Sequence, residues 1–469
     1  MRGLLYWAIQ RKWLFAGLLA GVLLLLPPLP VDLTPHGRQV LVIALITMIL
    51  FVTEAIPLPA VALLIPVFQV LFGIDSPTEV AHSFMNDSVF FILGSLMLAV
   101  AIVKQKIDRR LAVVLFRFTG PKVDRIVFGL IAFSACLASL IGEHTVAAIM
   151  MPVVLSLIRH SSDEQRGSPR LAALLLFSIA YSCAIAGIGT PSGGARNAVM
   201  IEYWSRLFGE HVSYFKWIKY AYPMVILQAP ILAVILLNRF IPEKTDLSTA
   251  IRKLKAQVYW EGRMRSRDWL TVSIFGVTLV LWVFFSGRIG LGAPAFIGVC
   301  LYLITGLVEW EDLQSGVNWG VFMIYAATIS LGTAMERTGA ASWVADHFLT
   351  VASSVGMGSG PGLLAAVAIL TVAISSFISR APALGILSPI VLVMAQASGT
   401  SLLAMGFVTA ISSAFTYMTI IGSPANTIIF SSGYLQTKDY LRAGAWMTLA
   451  SLLLLWITSE TYWRMVLPR

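Results

Sequence analysis

Charge is what this sequence has least of. Only 12% of its residues are Asp, Glu, Lys or Arg, while 58% are hydrophobic. A soluble globular domain carries about 25% charged residues. The shortfall excludes an ordinary water-facing surface and points to one that faces lipid. Cysteine is scarce as well. Cys136, Cys183 and Cys300 lie in apolar stretches, at spacings that make neither a metal-ligand set nor a disulfide framework, and read as small buried hydrophobes. The signatures of soluble enzymes are missing too. There is no phosphate-binding P-loop and no HExxH pair, and the run Gly187-Ile188-Gly189 sits inside an apolar segment, where a dinucleotide loop has no place. No enzyme and no enzymatic cofactor is expected.

What the chain has instead is long apolar stretches from end to end, such as 13–26, 39–52, 224–237, 270–285 and 445–457. A bilayer core takes roughly 20 apolar residues per helix, which leads us to expect about eleven spans. Two further apolar regions are interrupted. The expected fold is an all-α integral membrane protein of about 11 transmembrane helices plus two re-entrant hairpins. Arg2, Arg11 and Lys12 precede the first apolar run, but no small-residue cleavage site follows, so this run reads as a retained helix with a cytoplasmic N-terminus.

The net charge of +10 could suggest nucleic acid, but its placement argues otherwise. Seven basic residues share one loop: Lys244, Arg252, Lys253, Lys255, Arg263, Arg265 and Arg267. Lys104, Lys106, Arg109, Arg110, Arg117, Lys122 and Arg125 form a second group. Clusters between spans mark cytoplasmic loops, whereas the loops assigned outside carry Asp75, Glu79 and Asp87. The expected partners are membrane lipid and no nucleic acid, in the inner or plasma membrane. Within the large loop, 247–260 is amphipathic and reads as a surface helix. Trp204, Trp217, Trp260 and Trp269 read as interfacial belt residues.

Both flanks of segment 126–158 must lie inside, so it has to enter and leave on one face, with Gly142-Glu143-His144-Thr145 at its tip. The second half repeats the plan of the first. Asn86 parallels Asn318, Pro152 parallels Pro389, and Asn197 parallels Asn426, at offsets of 232, 237 and 229 residues. The loop charges run the two copies in opposite directions. Inverted repeats with matching breaks point to a secondary transporter with its site near the midplane. Helix N-termini at such breaks favour anions.

At this point a family can be recognised. Thr53-Glu54-Ala55-Ile56-Pro57-Leu58-Pro59 resembles the "TEAIPLP" signature of the divalent anion:sodium symporters, the di- and tricarboxylate carriers. Ile179-Ala180-Tyr181-Ser182 with Gly187-Ile188-Gly189-Thr190 resembles that family's first broken helix. Ser423-Pro424-Ala425-Asn426 resembles its "TPPN", and Phe430-Ser431-Ser432-Gly433-Tyr434 its "FGSGY". The resemblance spans roughly residues 40–460 and implies a homodimer of elevator-type protomers that carry small organic anions. On this plan, 1–125 and 268–350 are scaffold helices, 126–240 and 351–469 are transport helices with one hairpin each, and 241–267 is a cytoplasmic basic loop.

In that family each hairpin tip carries a Ser-Asn-Thr motif for sodium and substrate carboxylates. Here the tips read Gly142-Glu143-His144 and Ser379-Arg380-Ala381, so both asparagines are replaced. The expected substrate contacts are Ser379, Arg380, Asn197, Asn426, Arg196, Thr190 and Ser423, of which the resemblance carries Ser379, Asn197 and Asn426. Coupling-ion or proton roles are expected at Glu143 and His144 from their chemistry, and at Gly189 and Gly422 from the resemblance. Arg380 cannot ligate a cation. It reads as a tethered cation in place of sodium, or as one that snorkels or pairs with a carboxylate. Glu143 reads as a sodium ligand, as a proton carrier, or as the partner of Arg380 across the tips. Arg196 reads as a second clamp or an outward snorkel. Coupling by protons, by anion exchange or by fewer sodium ions follows. A cation/proton antiporter using Glu143, or a receptor-like or channel-like member, is the alternative.

Overall fold

The protein is described by a computed structural model covering residues 12–28, 30, 32–105, 107, 119–161, 168–252 and 264–467. Arg2, Arg11, Lys106, Arg109, Arg110, Arg117, Lys253, Lys255, Arg263 and the 253–260 part of the expected surface helix lie outside the described residues. All described regular structure is helical. The first half runs α1 Lys12–Leu25, α2 Pro35–Thr53, α3 Leu58–Leu71, α4 Pro77–Phe84, α5 Asp87–Lys104, α6 Val123–Ile141, α7 Glu143–Ser161, α8 Pro169–Ala186, α9 Ala195–Phe208 and α10 Tyr214–Arg239. The second half runs α11 Ser266–Ile289, α12 Gly292–Ile304, α13 Trp310–Gly316, α14 Trp319–Arg337, α15 Ala340–Ser354, α16 Gly360–Ile378, α17 Arg380–Ser398, α18 Leu402–Ser412, α19 Pro424–Phe430, α20 Thr437–Glu460 and α21 Tyr462–Val466. Ten described helices are long and apolar enough to cross a membrane, or eleven if the bent pair α13–α14 is one span. Four of the ten are hairpin arms, and four shorter apolar helices add to them.

The parallels in sequence have physical causes. Asn86 caps α5 by accepting the Val89 N–H at 3.0 Å. Asn318 caps α14 in the same way, from Val321 at 3.2 Å. Each satisfies an otherwise orphaned helix donor. Pro152 lies inside α7 and Pro389 inside α17, the return arms of the two hairpins.

Hydrogen bonds at the feet show that both hairpins fold back. At the start of α6, Val123 N–H donates to the Thr245 carbonyl at 3.0 Å, and Leu247 N–H donates to Pro121 at 2.9 Å. At the end of α7, Lys244 Nζ donates to the Ser161 carbonyl at 2.6 Å. Segment 244–247 therefore touches both feet of α6–α7, which enters and leaves on one face. At the other hairpin, Gly360 N–H donates to Thr400 Oγ1 at 3.3 Å, joining the start of α16 to the end of α17. Helix α8 starts beside the first hairpin's feet, where Glu243 accepts from Arg170 N–H at 3.0 Å. Its continuation α9 ends beside the second hairpin's feet, where Trp204 Nε1 donates to the Leu402 carbonyl at 3.1 Å. The hairpins thus come from opposite faces, as inverted repeats require.

Two expectations are corrected. Trp204 and Trp217 are fully buried rather than interfacial, and Trp217 Nε1 donates to the Ile188 carbonyl at 2.9 Å. Both pack on Phe407, because a large ring fills the space between helices that a broken span leaves. Cys136 and Cys300 are exposed, and only Cys183 is buried. In an apolar helix, exposure toward lipid costs a small thiol little.

Candidate functional site

Each tip turns at a single residue. Gly142 separates α6 from α7, and Ser379 separates α16 from α17. The next residue in each is Glu143 and Arg380, respectively. Glu143 and Arg380 are 2% exposed. Their side chains meet, with Arg380 Nη1 donating to Glu143 Oε2 at 2.7 Å. The other carboxylate oxygen accepts from Arg196 Nη1 at 2.9 Å. One carboxylate thus lies between two guanidiniums at the meeting point of both hairpins and the first helix break.

Arg380 has an acceptor for each nitrogen: Nε donates to Thr416 Oγ1 at 3.0 Å and Nη2 to the Ala414 carbonyl at 3.0 Å. The side chain of Arg196, 1% exposed, has only Glu143 as an acceptor among the described residues. Its Nε and Nη2 are buried without a hydrogen-bond partner among the described residues. It is no outward snorkel, and that reading is corrected. His144 lies at the rim, a third exposed, with Nδ1 3.8 Å from Glu143 Oε1. The Glu143 N–H donates to the Gly193 carbonyl at 3.2 Å, tying the first tip to the first break.

The two breaks are built alike. Asn197 Nδ2 donates to the carbonyls ten and seven residues back, Gly187 and Thr190, at 2.7 Å each. Asn426 Nδ2 repeats this at ten and seven residues, to Thr416 at 3.1 Å and Thr419 at 2.8 Å. Each amide staples an unwound loop, where backbone carbonyls have lost helical donors. The amide oxygens of both residues are buried without a donor among the described residues. Neutral oxygens of this kind suit a hard cation such as sodium. Ser423 Oγ is likewise buried and unpartnered.

Other expected site residues are occupied with structure. Thr190 Oγ1 donates to the Ser139 carbonyl and accepts from Gly193 N–H at 2.9 Å. A Cβ at Gly189 would stand 2.7 Å from the Tyr222 ring, so that glycine serves packing against α10. A Cβ at Gly422 would press on Thr416 and Thr419, at 2.6 Å from each. Ser379 forms the tip backbone, and its hydroxyl makes no hydrogen bond among the described residues.

Sequence reasoning missed two residues. Thr416 anchors Arg380. At Gly187 a Cβ would lie 2.8 Å from Glu143 Oε2 and 2.9 Å from Arg196 Nη2, so only glycine leaves room for the ion pair. Both are acceptors of the Asn staples, ten residues before each asparagine. That shared spacing was the available signal.

A family model described as the sodium:sulfate symporter transmembrane region matches residues 10–468. The chain belongs to this family. It is therefore a multi-pass membrane transporter of small anions rather than an enzyme. It is 26% identical over 479 residues to the sodium-dependent dicarboxylate transporter SdcS of Staphylococcus saprophyticus, covering 95% of this chain and 90% of that one. The SdcS of Staphylococcus aureus is 25% identical, with 94% and 89% covered. An uncharacterized transporter of Haemophilus influenzae is 25% identical, with 92% of each covered. In fold, the chain resembles the YdaH transporter of Alcanivorax borkumensis at a TM-score of 0.56 and 12% identity, with 82% of this chain and 86% of that one covered. MtrF of Neisseria gonorrhoeae matches at 0.56 and 12%, with 83% and 84% covered. These two likenesses speak for the fold alone.

Proposed function

We propose that this family member carries a di- or tricarboxylate, or a similar oxyanion, across the inner or plasma membrane. The anion is held where the hairpin tips meet. One observation carries the reading: Glu143 lies across Arg196 and Arg380. The junction holds two guanidiniums and one carboxylate, a surplus of positive charge in a buried place. An anion removes that surplus, and buried charge is costly unless it is compensated.

Coupling follows from the same residues. Arg380 stands in place of a neutral tip ligand and repels a cation there. Sodium, as cargo, keeps the Asn197 and Asn426 oxygens as ligands, so coupling uses fewer sodium ions, protons through Glu143, or exchange of anions. A cation/proton antiporter would need Glu143 free for its cation, but both oxygens are held by guanidiniums. The two hairpins and two broken helices form the moving unit of an elevator, set against scaffold helices in a homodimer.

Reconstitution in liposomes tests this. Labelled dicarboxylate uptake is measured under a sodium gradient, a pH gradient, or with anion preloaded inside. Saturable uptake under at least one of these supports the reading. Absence of saturable uptake across carboxylates, sulfate and phosphate would overturn it.

A further inference from the structure

The two arginines at the tip junction are not equivalent. Arg380 has an acceptor at every nitrogen: Thr416 Oγ1, Glu143 Oε2 and the Ala414 carbonyl. Arg196 spends only Nη1, on Glu143. Its Nε and Nη2 carry N–H bonds that run side by side along one edge of the guanidinium. That edge is the fork that takes a carboxylate or sulfate through two parallel hydrogen bonds. Here both atoms are buried without a partner among the described residues. Leaving such donors unpaired in a buried site is costly, about 1–3 kcal/mol or more for charged groups. Two glycines lie against the Arg196 guanidinium. A Cβ at Gly187 would stand 2.9 Å from Nη2, and one at Gly194 3.0 Å from Nη1.

We infer that the Nε–Nη2 edge of Arg196 seats one oxyanion head of the transported anion, while Arg380 is a positioning residue that holds Glu143 and the second tip. This rests on the anion-carrier reading and sharpens it. The ligand head must present two coplanar or tetrahedral oxygens, as carboxylate and sulfate do and a halide does not. Glu143 occupies the remaining corner of the guanidinium, so one head binds beside it without displacing it. The charge balance agrees: two guanidiniums and one carboxylate leave one positive charge for one anionic head.

The test compares charge-preserving variants in proteoliposomes. Arg196→Lys keeps the charge and loses the parallel pair, so KM for succinate should rise about tenfold or more, with a smaller change in kcat. Arg380→Lys strands Thr416 and Ala414, so it should lower the thermal midpoint and kcat and raise KM less than Arg196→Lys does. A second measurement needs no variant. In the wild-type protein, sulfate should compete with labelled succinate, and chloride at equal concentration should not. The proposal is overturned if Arg196→Lys folds with an unchanged KM, if Arg380→Lys raises KM more, or if chloride competes as well as sulfate. Lack of any saturable oxyanion uptake by the wild-type protein would instead overturn the carrier reading itself.

Discussion

Ser379 turns its hairpin with nearly the backbone that Gly142 uses in the other: φ 80°, ψ 155° against φ 91°, ψ 146°. That region of backbone space is open to glycine and strained for other residues, at a cost of about 1–3 kcal/mol. The second tip keeps this turn even with a serine. The residue that follows it, Arg380, is anchored to Glu143, Thr416 and the Ala414 carbonyl.

Ser379→Gly should therefore raise stability by about 1–2 kcal/mol, and Gly142→Ser should lower it by a similar amount. Thermal unfolding in detergent reads both. A fall in the midpoint for Ser379→Gly would mean that the serine side chain supports the tip in a way its backbone does not reveal.

Glu143 and Arg380 should behave as a unit. Glu143→Gln leaves two buried guanidiniums uncompensated and should cost about 3–5 kcal/mol, whereas Arg380→Gln leaves Glu143 paired with Arg196 and should cost less. The double variant should cost clearly less than the sum, with a coupling of about 1–3 kcal/mol. Additive losses in a double-mutant cycle would argue that the two side chains do not pair.

Asn197 and Asn426 each staple a loop through two hydrogen bonds at the same spacing. Asn197→Asp and Asn426→Asp remove both donors and bury a carboxylate beside carbonyls. Each should lower the folded yield and abolish uptake, and Asn→Ala should be milder, at about 1–3 kcal/mol. Folded yield and initial uptake rate check this. Opposite behaviour at the two positions would contradict their equivalence.

Glycine positions separate site from scaffold. Gly187→Ala pushes a methyl against Glu143 Oε2 and Arg196 Nη2, so uptake should drop at least about tenfold. At Gly276, on α11, a Cβ meets nothing within 4 Å. Gly276→Ala should leave uptake intact and slightly stabilise the helix, by less than about 1 kcal/mol. Equal effects of the two would place the ion pair outside the transport path.

The architecture was largely legible in the sequence, because it follows from rules that act locally. Apolar runs of bilayer length, the basic loops and the paired landmarks Asn86/Asn318 and Pro152/Pro389 each have a local cause, and the repeat showed through them. The tip substitutions Glu143 and Arg380 were also visible. Their partners were harder to see. That every nitrogen of Arg380 has an acceptor, while two of Arg196 have none among the described residues, depends on Thr416 and on the Ala414 carbonyl, neither of which is marked by residue type. Gly187 looked like part of a helix break, and only the packed site shows that it makes room for two charged side chains. Trp204 and Trp217 misled for the reverse reason. Tryptophan near a span end suits an interface, and here the tertiary packing around Phe407 took both rings inside.

The most direct test of the account is anion binding to the purified protein with sodium replaced by choline. Fixed guanidiniums at the tip junction should keep succinate binding measurable without sodium, within about tenfold of its affinity in sodium, and Arg196→Gln should remove it. Binding that vanishes in choline and survives Arg196→Gln would contradict the account.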